Sequence, residues 1–340
     1  MERIKETYMT RAQRINGRGV LSALAGVALV ALALALAACG GSNASATTTS
    51  ADTMLGAGST FAAPLYTKWA SDYQGVAGVK LNYQAVGSSA GIAAIEIFCT
   101  PQHLDYNNRA QMMELCHWFR DSELKVHSIH APMYTDDVWG RSGPHAVITI
   151  TEPVKSRRIL MVDEIKRAIE LAEYVPFRYL IQHLGVGGEE YDERRLEAAF
   201  SSLDELTVFA RQRGVEILLE NIPNRLSSAE RLVHFLGETH LHLGFCFDVG
   251  HANMNEGVAS AFRLMQDRIR STHVHDNNGI DDKHLFPLLS EGGTVDWKST
   301  MELLRSREDR FPLLLELKEN PEFKHPLDAC AEIFDRLESL

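Results

Sequence analysis

Glu220 follows Ile217-Leu218-Leu219, and Glu316 follows Leu313-Leu314-Leu315. An ionised carboxylate closing so apolar a run is costly to bury unless it is paired or bound to a cation. Other apolar runs close in the same way. His130 ends one in His-Ser-Ile-His, His183 another in Leu-Ile-Gln-His, Asp248 a third before Val-Gly-His251, and His273 a fourth in His-Val-His. Asp282 and His284 follow as Asp-Asp-Lys-His. Imidazole and carboxylate are the donor mix that suits Zn, Mn, Co or non-haem Fe. Singly, each has a plain explanation: a packing histidine, an ion-pair partner, or, for Asp248, a helix cap. Six of seven consecutive runs ending in a potential ligand ask for more than that.

The runs are short and rich in Ile, Leu, Val and Phe: Ala94–Phe98, Lys125–His130, Arg178–His183, Val215–Glu220, Leu243–Asp248, Ile269–His275 and Pro312–Leu317. An amphipathic segment follows each. In Tyr191–Arg213, Leu196, Ala199, Leu203, Leu206 and Phe209 share a face. Strand and helix in alternation predict βαβ units with parallel strands. The predicted fold class is α/β, a (β/α)8 barrel in which active-site residues sit at the C-terminal ends of the strands. Only seven units can be drawn, and the first is lacking. Val79–Val86 is a substitute strand by composition. It stands about seven residues before the next strand, where a parallel crossover needs about a dozen. An open seam is expected.

The net charge of −11 is uneven: residues 1–94 carry seven Lys/Arg and four Asp/Glu, so the rest of the chain is strongly acidic. Such a field argues against general nucleic-acid binding. Arg157 and Arg158 are the nearest thing to a basic patch and read as a solvated helix start. The five cysteines, Cys39, Cys99, Cys116, Cys246 and Cys330, include no CxxC pair. Cys99, Cys116 and Cys246 read as free buried thiols in a domain of cytoplasmic type. His103, His117, His145, His234, His240 and His242 fall outside strand ends and read as surface or packing residues.

The N-terminus is of another kind. Arg11, Arg14 and Arg18 precede an apolar run from Val20 to Ala38 that ends in Ala-Ala-Cys39-Gly. This predicts a lipoprotein signal over 1–39, with Cys39 lipidated, export, and a membrane contact made only through that lipid. A Gly/Ser/Ala/Thr-rich tether occupies 40–54. The segment 55–91 contains Gly-Ser-Thr60-Phe61-Ala and Val-Gly-Ser88-Ser-Ala-Gly. It resembles the start of the phosphate-binding lipoproteins of bacterial ABC phosphate transporters. That resemblance implies phosphate contacts at Thr60, Phe61 and Ser88, which are vestigial here because the remainder of such a protein is missing.

From 92 to 340 the motifs resemble the xylose isomerase-like barrel superfamily, which includes sugar-phosphate isomerases and epimerases and endonuclease IV. The resemblance implies a metal held by Glu220, Asp248, His273 and Glu316. It makes His130, His183, His251, Asp282 and His284 additional metal or substrate contacts, and it implies one to three divalent ions (Zn, Mn, Co or Mg). Three readings follow. In the first, a sugar or sugar phosphate is isomerised or epimerised through an enediolate, with Glu220 and Glu316 moving the proton. In the second, a zinc cluster hydrolyses phosphodiesters. In the third, the chain is a lipid-anchored phosphate-binding protein. The segment from Met133 to Pro153, with Trp139, Arg141 and His145, is expected to cover the pocket mouth. A homo-oligomer is compatible with this fold class.

Overall fold

The computed structural model describes residues 53–58, 80–85, 92–100, 104–120, 122, 124–135, 143–307, 311–318 and 320–340. The signal, the tether, Cys39, Thr60, Phe61, Ser88, His103, Trp139, Arg141 and the side chain of His145 lie outside these residues. The chain divides into two units, Met1–Thr53 and Met54–Leu340. None of the described helices is long and apolar enough to cross a membrane.

Strands β1 (Thr53–Gly58) and β2 (Lys80–Ala85) pair with each other in a sheet of two. β2 thus forms where the sequence suggests a strand, but it does not join the large sheet. That sheet has seven strands in chain order: β3 (Ala94–Phe98), β4 (Lys125–His130), β5 (Tyr179–His183), β6 (Glu216–Glu220), β7 (Gly244–Asp248), β8 (Ile269–Val274) and β9 (Leu313–Leu315). Every neighbouring pair is parallel. Among the described residues β9 and β3 do not pair, so the barrel is open at that seam.

The seam leaves its mark on burial. β5, β6 and β7 are buried along almost their whole length, whereas β3 and β9 are only half-buried throughout. An apolar strand covered on both faces and both edges is what a closed parallel barrel requires. β9 is also shorter than the predicted Pro312–Leu317, so Glu316 falls just past its end.

Helices α1 (Arg109–Arg120), α2 (Lys155–Ile169), α3 (Glu193–Arg211), α4 (Ala229–Gly237), α5 (Val249–Met254), α6 (Val258–Met265), α7 (Trp297–Arg305) and α8 (Pro326–Ser339) lie between and after the strands. α3 shows why they form. Asp192 accepts from the Arg194 amide as N-cap, which starts the helix two residues later than Tyr191. Ala199, Leu203, Leu206 and Ala210 recur every three or four residues and are fully buried. Gly214, at φ +73°, then reverses the chain into β6, a conformation strained for any residue with a Cβ.

Candidate functional site

Parallel registers place the strand-end residues side by side. His183 pairs with Glu220, Asp248 with His273, and Phe98 with His130. Beyond β9 the Glu316 amide donates to the Val274 carbonyl, which carries Glu316 to the same end of the sheet. All nine sequence-derived candidates in 92–340 gather there, in three adjoining groups.

In the first group Glu220, Asp248, His273 and Glu316 offer one ligand atom each, all within 4.8 Å of one another. His273 Nδ1 lies 3.1 Å from Glu220 Oε1, 3.0 Å from Glu316 Oε2 and 3.8 Å from Asp248 Oδ2. One ring nitrogen cannot hydrogen-bond three carboxylates at once. Four donors around one point suit a cation. Asp248 is also the helix cap, since its Oδ1 accepts from the His251 amide at 2.6 Å. Its Oδ2 has no hydrogen-bond partner, and neither does Glu316 Oε2.

The second group is His130, His183 and Glu220. The two Nε2 atoms are 3.1 Å apart, and His183 Nε2 is 2.9 Å from Glu220 Oε2. Glu220 therefore directs one oxygen into each group. His130 Nδ1 donates to the Ala131 carbonyl at 2.9 Å, which leaves Nε2 with its lone pair facing inward.

The third group sits on α5 and the loop after β8. His251, His275, Asp282 and His284 offer atoms within the same 4.8 Å. His251 and His284 each donate Nδ1–H to a main-chain carbonyl, of Asn221 and Glu316 at 3.0 Å, and turn Nε2 inward. His275 does not fit as a co-ligand of His284. Their rings stack with centroids 3.9 Å apart and planes 9° from parallel. A cation about 2 Å from either nitrogen can lie in the plane of only one of them. His275 instead sets its Nε2 3.2 Å from Asp248 Oδ1 and packs behind His284. Gly250 makes room for it, because a Cβ there would stand 2.1 Å from the His275 ring.

Second-layer residues hold this arrangement. Asn221 donates to the Asp248 carbonyl and accepts from the Asp248 amide, both at 2.9 Å, and so ties β6 to β7. Asp276 accepts from the amides of Asn277, Thr294 and Val295 and from Trp297 Nε1. A two-way bridge to Leu285 closes the loop that carries Asp282 and His284. His284 adopts φ +46°, a conformation rare outside glycine, which marks a constrained position.

Five carboxylates, Glu96, Glu220, Asp248, Asp282 and Glu316, face six imidazoles here. Burial alone would raise Glu220, but His273, His183 and His130 hold it well below the usual carboxylate range. Glu316 and Asp282 are likewise lowered against burial, by His273 and by His251 with His284. His183 is lowered, chiefly by burial. These donors, with the orphaned Asp248 Oδ2, Asp282 Oδ1 and Glu316 Oε2, fit divalent cations.

The candidate donors leave out two residues that the site contains. Glu96 lies in the middle of Ile-Glu-Ile, yet its Oε1 is 3.0 Å from His273 Nε2. Its signal is a lone charge within an apolar strand. His275 follows His273 by two residues, and the period of a strand places both on the same face. Of the other histidines, His117, His234, His240 and His242 are exposed, as expected. Cys99 and Cys246 are buried and free, and burial pushes both thiols up, whereas Cys116 is only half-buried.

With this geometry in hand, comparison with known proteins places the chain. A family model described as xylose isomerase-like TIM barrel matches residues 85–339. A solved D-tagatose 3-epimerase-like protein is 25% identical and superposes with a TM-score of 0.59 over 73% of this chain and 88% of its own. A xylose isomerase domain protein from Planctomyces limnophilus is 16% identical, with a TM-score of 0.57 over 75% of this chain and 92% of its own. An uncharacterised protein of Methanocaldococcus jannaschii is 30% identical over 134 residues, 38% of this chain. The chain spans about half the length of that relative, 51%. The N-terminal part is similar to the phosphate-binding protein PstS of Pasteurella multocida, 52% identical over 46 residues, which are 14% of this chain and 13% of PstS. From its parallel strands, the donors at their ends and this match over three-quarters of its length, the chain belongs to the xylose isomerase-like TIM barrel family.

Proposed function

We propose that the barrel is a metal-dependent sugar or sugar-phosphate isomerase or epimerase. The observation that carries this reading is the approach of both Glu220 and Glu316 to the same nitrogen, His273 Nδ1, at 3.1 and 3.0 Å. Two carboxylates that share one cation position can act on the carbon of a substrate held there. A divalent cation bound by Glu220, Asp248, His273 and Glu316 would supply a Lewis acid for adjacent hydroxyl and carbonyl oxygens of the sugar and offset the charge of an enediolate.

The chain's own groups divide the remaining work. Glu316 keeps 29% of its side chain exposed and Glu220 only 1%, so Glu316 is the carboxylate that a substrate reaches first. Both are held below the usual carboxylate range, so both start as bases. The proton returned to carbon must therefore come from the carboxyl that removed it or reach the second carboxylate from solvent. The epimerase-like neighbour at 25% identity supports this class of chemistry. Metal-loaded protein incubated with a panel of ketoses in deuterated water should give product labelled at the carbon next to the carbonyl. Glu316→Gln should slow the exchange about 10²- to 10⁴-fold. Full turnover by the variant would refute the proton roles, and unlabelled product would show that the carboxyl that removes the proton also returns it.

A second reading rests on one observation, the bridging of the first two groups by Glu220 alongside a third group at Asp282. Three cations so placed would suit phosphodiester hydrolysis. Metal content separates the two readings: one ion per chain supports the isomerase, and three with turnover of a phosphodiester support the hydrolase. The phosphate-binding reading has little support, since only 13% of PstS is represented. Titration with inorganic phosphate should show no micromolar binding.

A further inference from the structure

We infer that Glu96 is the positioning residue that sets which nitrogen of His273 faces the first group of donors. The inference rests on the reading of that group as a cation site. His130, His251 and His284 each spend Nδ1 on a main-chain carbonyl and present Nε2. His273 is turned the other way, presenting Nδ1 to Glu220 and Glu316. Its outer nitrogen meets a side chain instead of the main chain. The partner there is Glu96 Oε1, 3.0 Å from Nε2. A carboxylate can only accept, so Nε2 carries a proton toward Glu96; the same holds at Nδ1 while it faces Glu220 and Glu316 directly, and Nδ1 is the nitrogen that a cation set among those carboxylates would meet.

Glu96 is itself held. Ser128 on β4 donates its hydroxyl to Glu96 Oε2 at 2.5 Å. With one oxygen on Ser128 and the other on His273, the carboxylate has one orientation. The chain of contacts runs from β4 through β3 to β8, across the open seam rather than around the sheet. Glu96 sits on the half-buried edge strand, yet its side chain is only 8% exposed, because it points inward at His273. The edge strand is thereby joined to His273 through Glu96. Loss of that contact should weaken the first group's cation site most and the third group, on α5 and the loop after β8, least.

The test uses the full chain labelled with 15N-histidine, with zinc as the probe. In the unaltered protein, metal-free and zinc-loaded, the Nε2 proton of His273 should appear as a slowly exchanging downfield signal. Glu96→Gln should remove or shift that signal. It should also weaken zinc binding at one site about 10- to 100-fold, with the melting temperature of the metal-free protein nearly unchanged. Ser128→Ala, which frees only Oε2, should shift both readouts in the same direction by less. If Glu96→Gln does not fold, the His273 signal of the unaltered chain and the Ser128→Ala affinity decide the matter. A proton on Nδ1 with Nε2 bare in zinc-loaded protein, or undiminished zinc affinity in a folded Glu96→Gln, overturns the inference. Absence of any zinc binding with the Nε2 proton in place would instead contradict the proposed cation site and leave the Glu96 contact standing.

Discussion

At the scale of the residue, the site is a set of donors aimed by what stands behind them. Asp248 divides its two oxygens between capping α5 and facing His273, so the helix cap and the site share one carboxylate. Asp248→Asn keeps the cap acceptor and removes the charge. It should cost little stability, about 0.5 kcal/mol, while zinc affinity falls at least tenfold, as isothermal titration and thermal melting will show. The nine candidates of the barrel were legible because each closes an apolar run or follows one closely, and a strand that ends in a charge is easily seen. Glu96 was not legible in that way, because it lies within its strand and its partner is 177 positions away. The backward role of His275 was hidden too. Residue type makes it a ligand candidate, and only the stacking of its ring on His284 shows that the two cannot share an ion.

Elements place these residues through register and loop closure. Parallel pairing sets His183 beside Glu220 and Asp248 beside His273, so the alternation of strands and helices was sufficient to foresee that strand ends converge. The loop after β8 was not foreseeable from periodicity. Its shape depends on Asp276, whose two oxygens collect three amides and the Trp297 indole. Gly293 allows that approach, since a Cβ there would stand 2.4 Å from Asp276 Oδ2. Asp276→Ala should destabilise the protein by about 3 kcal/mol, because it strands buried donors. It should also free the loop that carries Asp282 and His284. Chemical denaturation and amide exchange across residues 276–295 check the two effects separately, and unchanged protection would show that the loop holds its shape without Asp276.

The whole molecule joins a barrel of seven parallel strands to an N-terminal part resembling a different family. The open seam was legible as a missing unit in the count of strand–helix pairs. That β2 would pair with β1 rather than enter the seam was not, since composition marks a strand without choosing its partner. Edge strands with unpaired amides open more readily than enclosed ones. Amides of β3 and β9 should therefore exchange with solvent at least tenfold faster than those of β5 to β7, a contrast of about 1.4 kcal/mol or more. Equal protection across the sheet would mean that the seam is covered. A bound cation that holds β6, β7, β8 and the end of β9 together should raise the melting temperature, and stripping it with a chelator should reverse the gain. At a thousandfold excess over its dissociation constant, such a ligand contributes about 4 kcal/mol.

The most direct measurement is the zinc content of the full chain after equilibrium dialysis against micromolar zinc, with His273→Ala dialysed in parallel. Convergence of Glu220, Asp248, His273 and Glu316 on one point predicts at least one tightly held ion per chain and one fewer in the variant. A chain that retains no zinc, or a variant that retains as much as the unaltered protein, would contradict the cation site on which the enzyme reading stands.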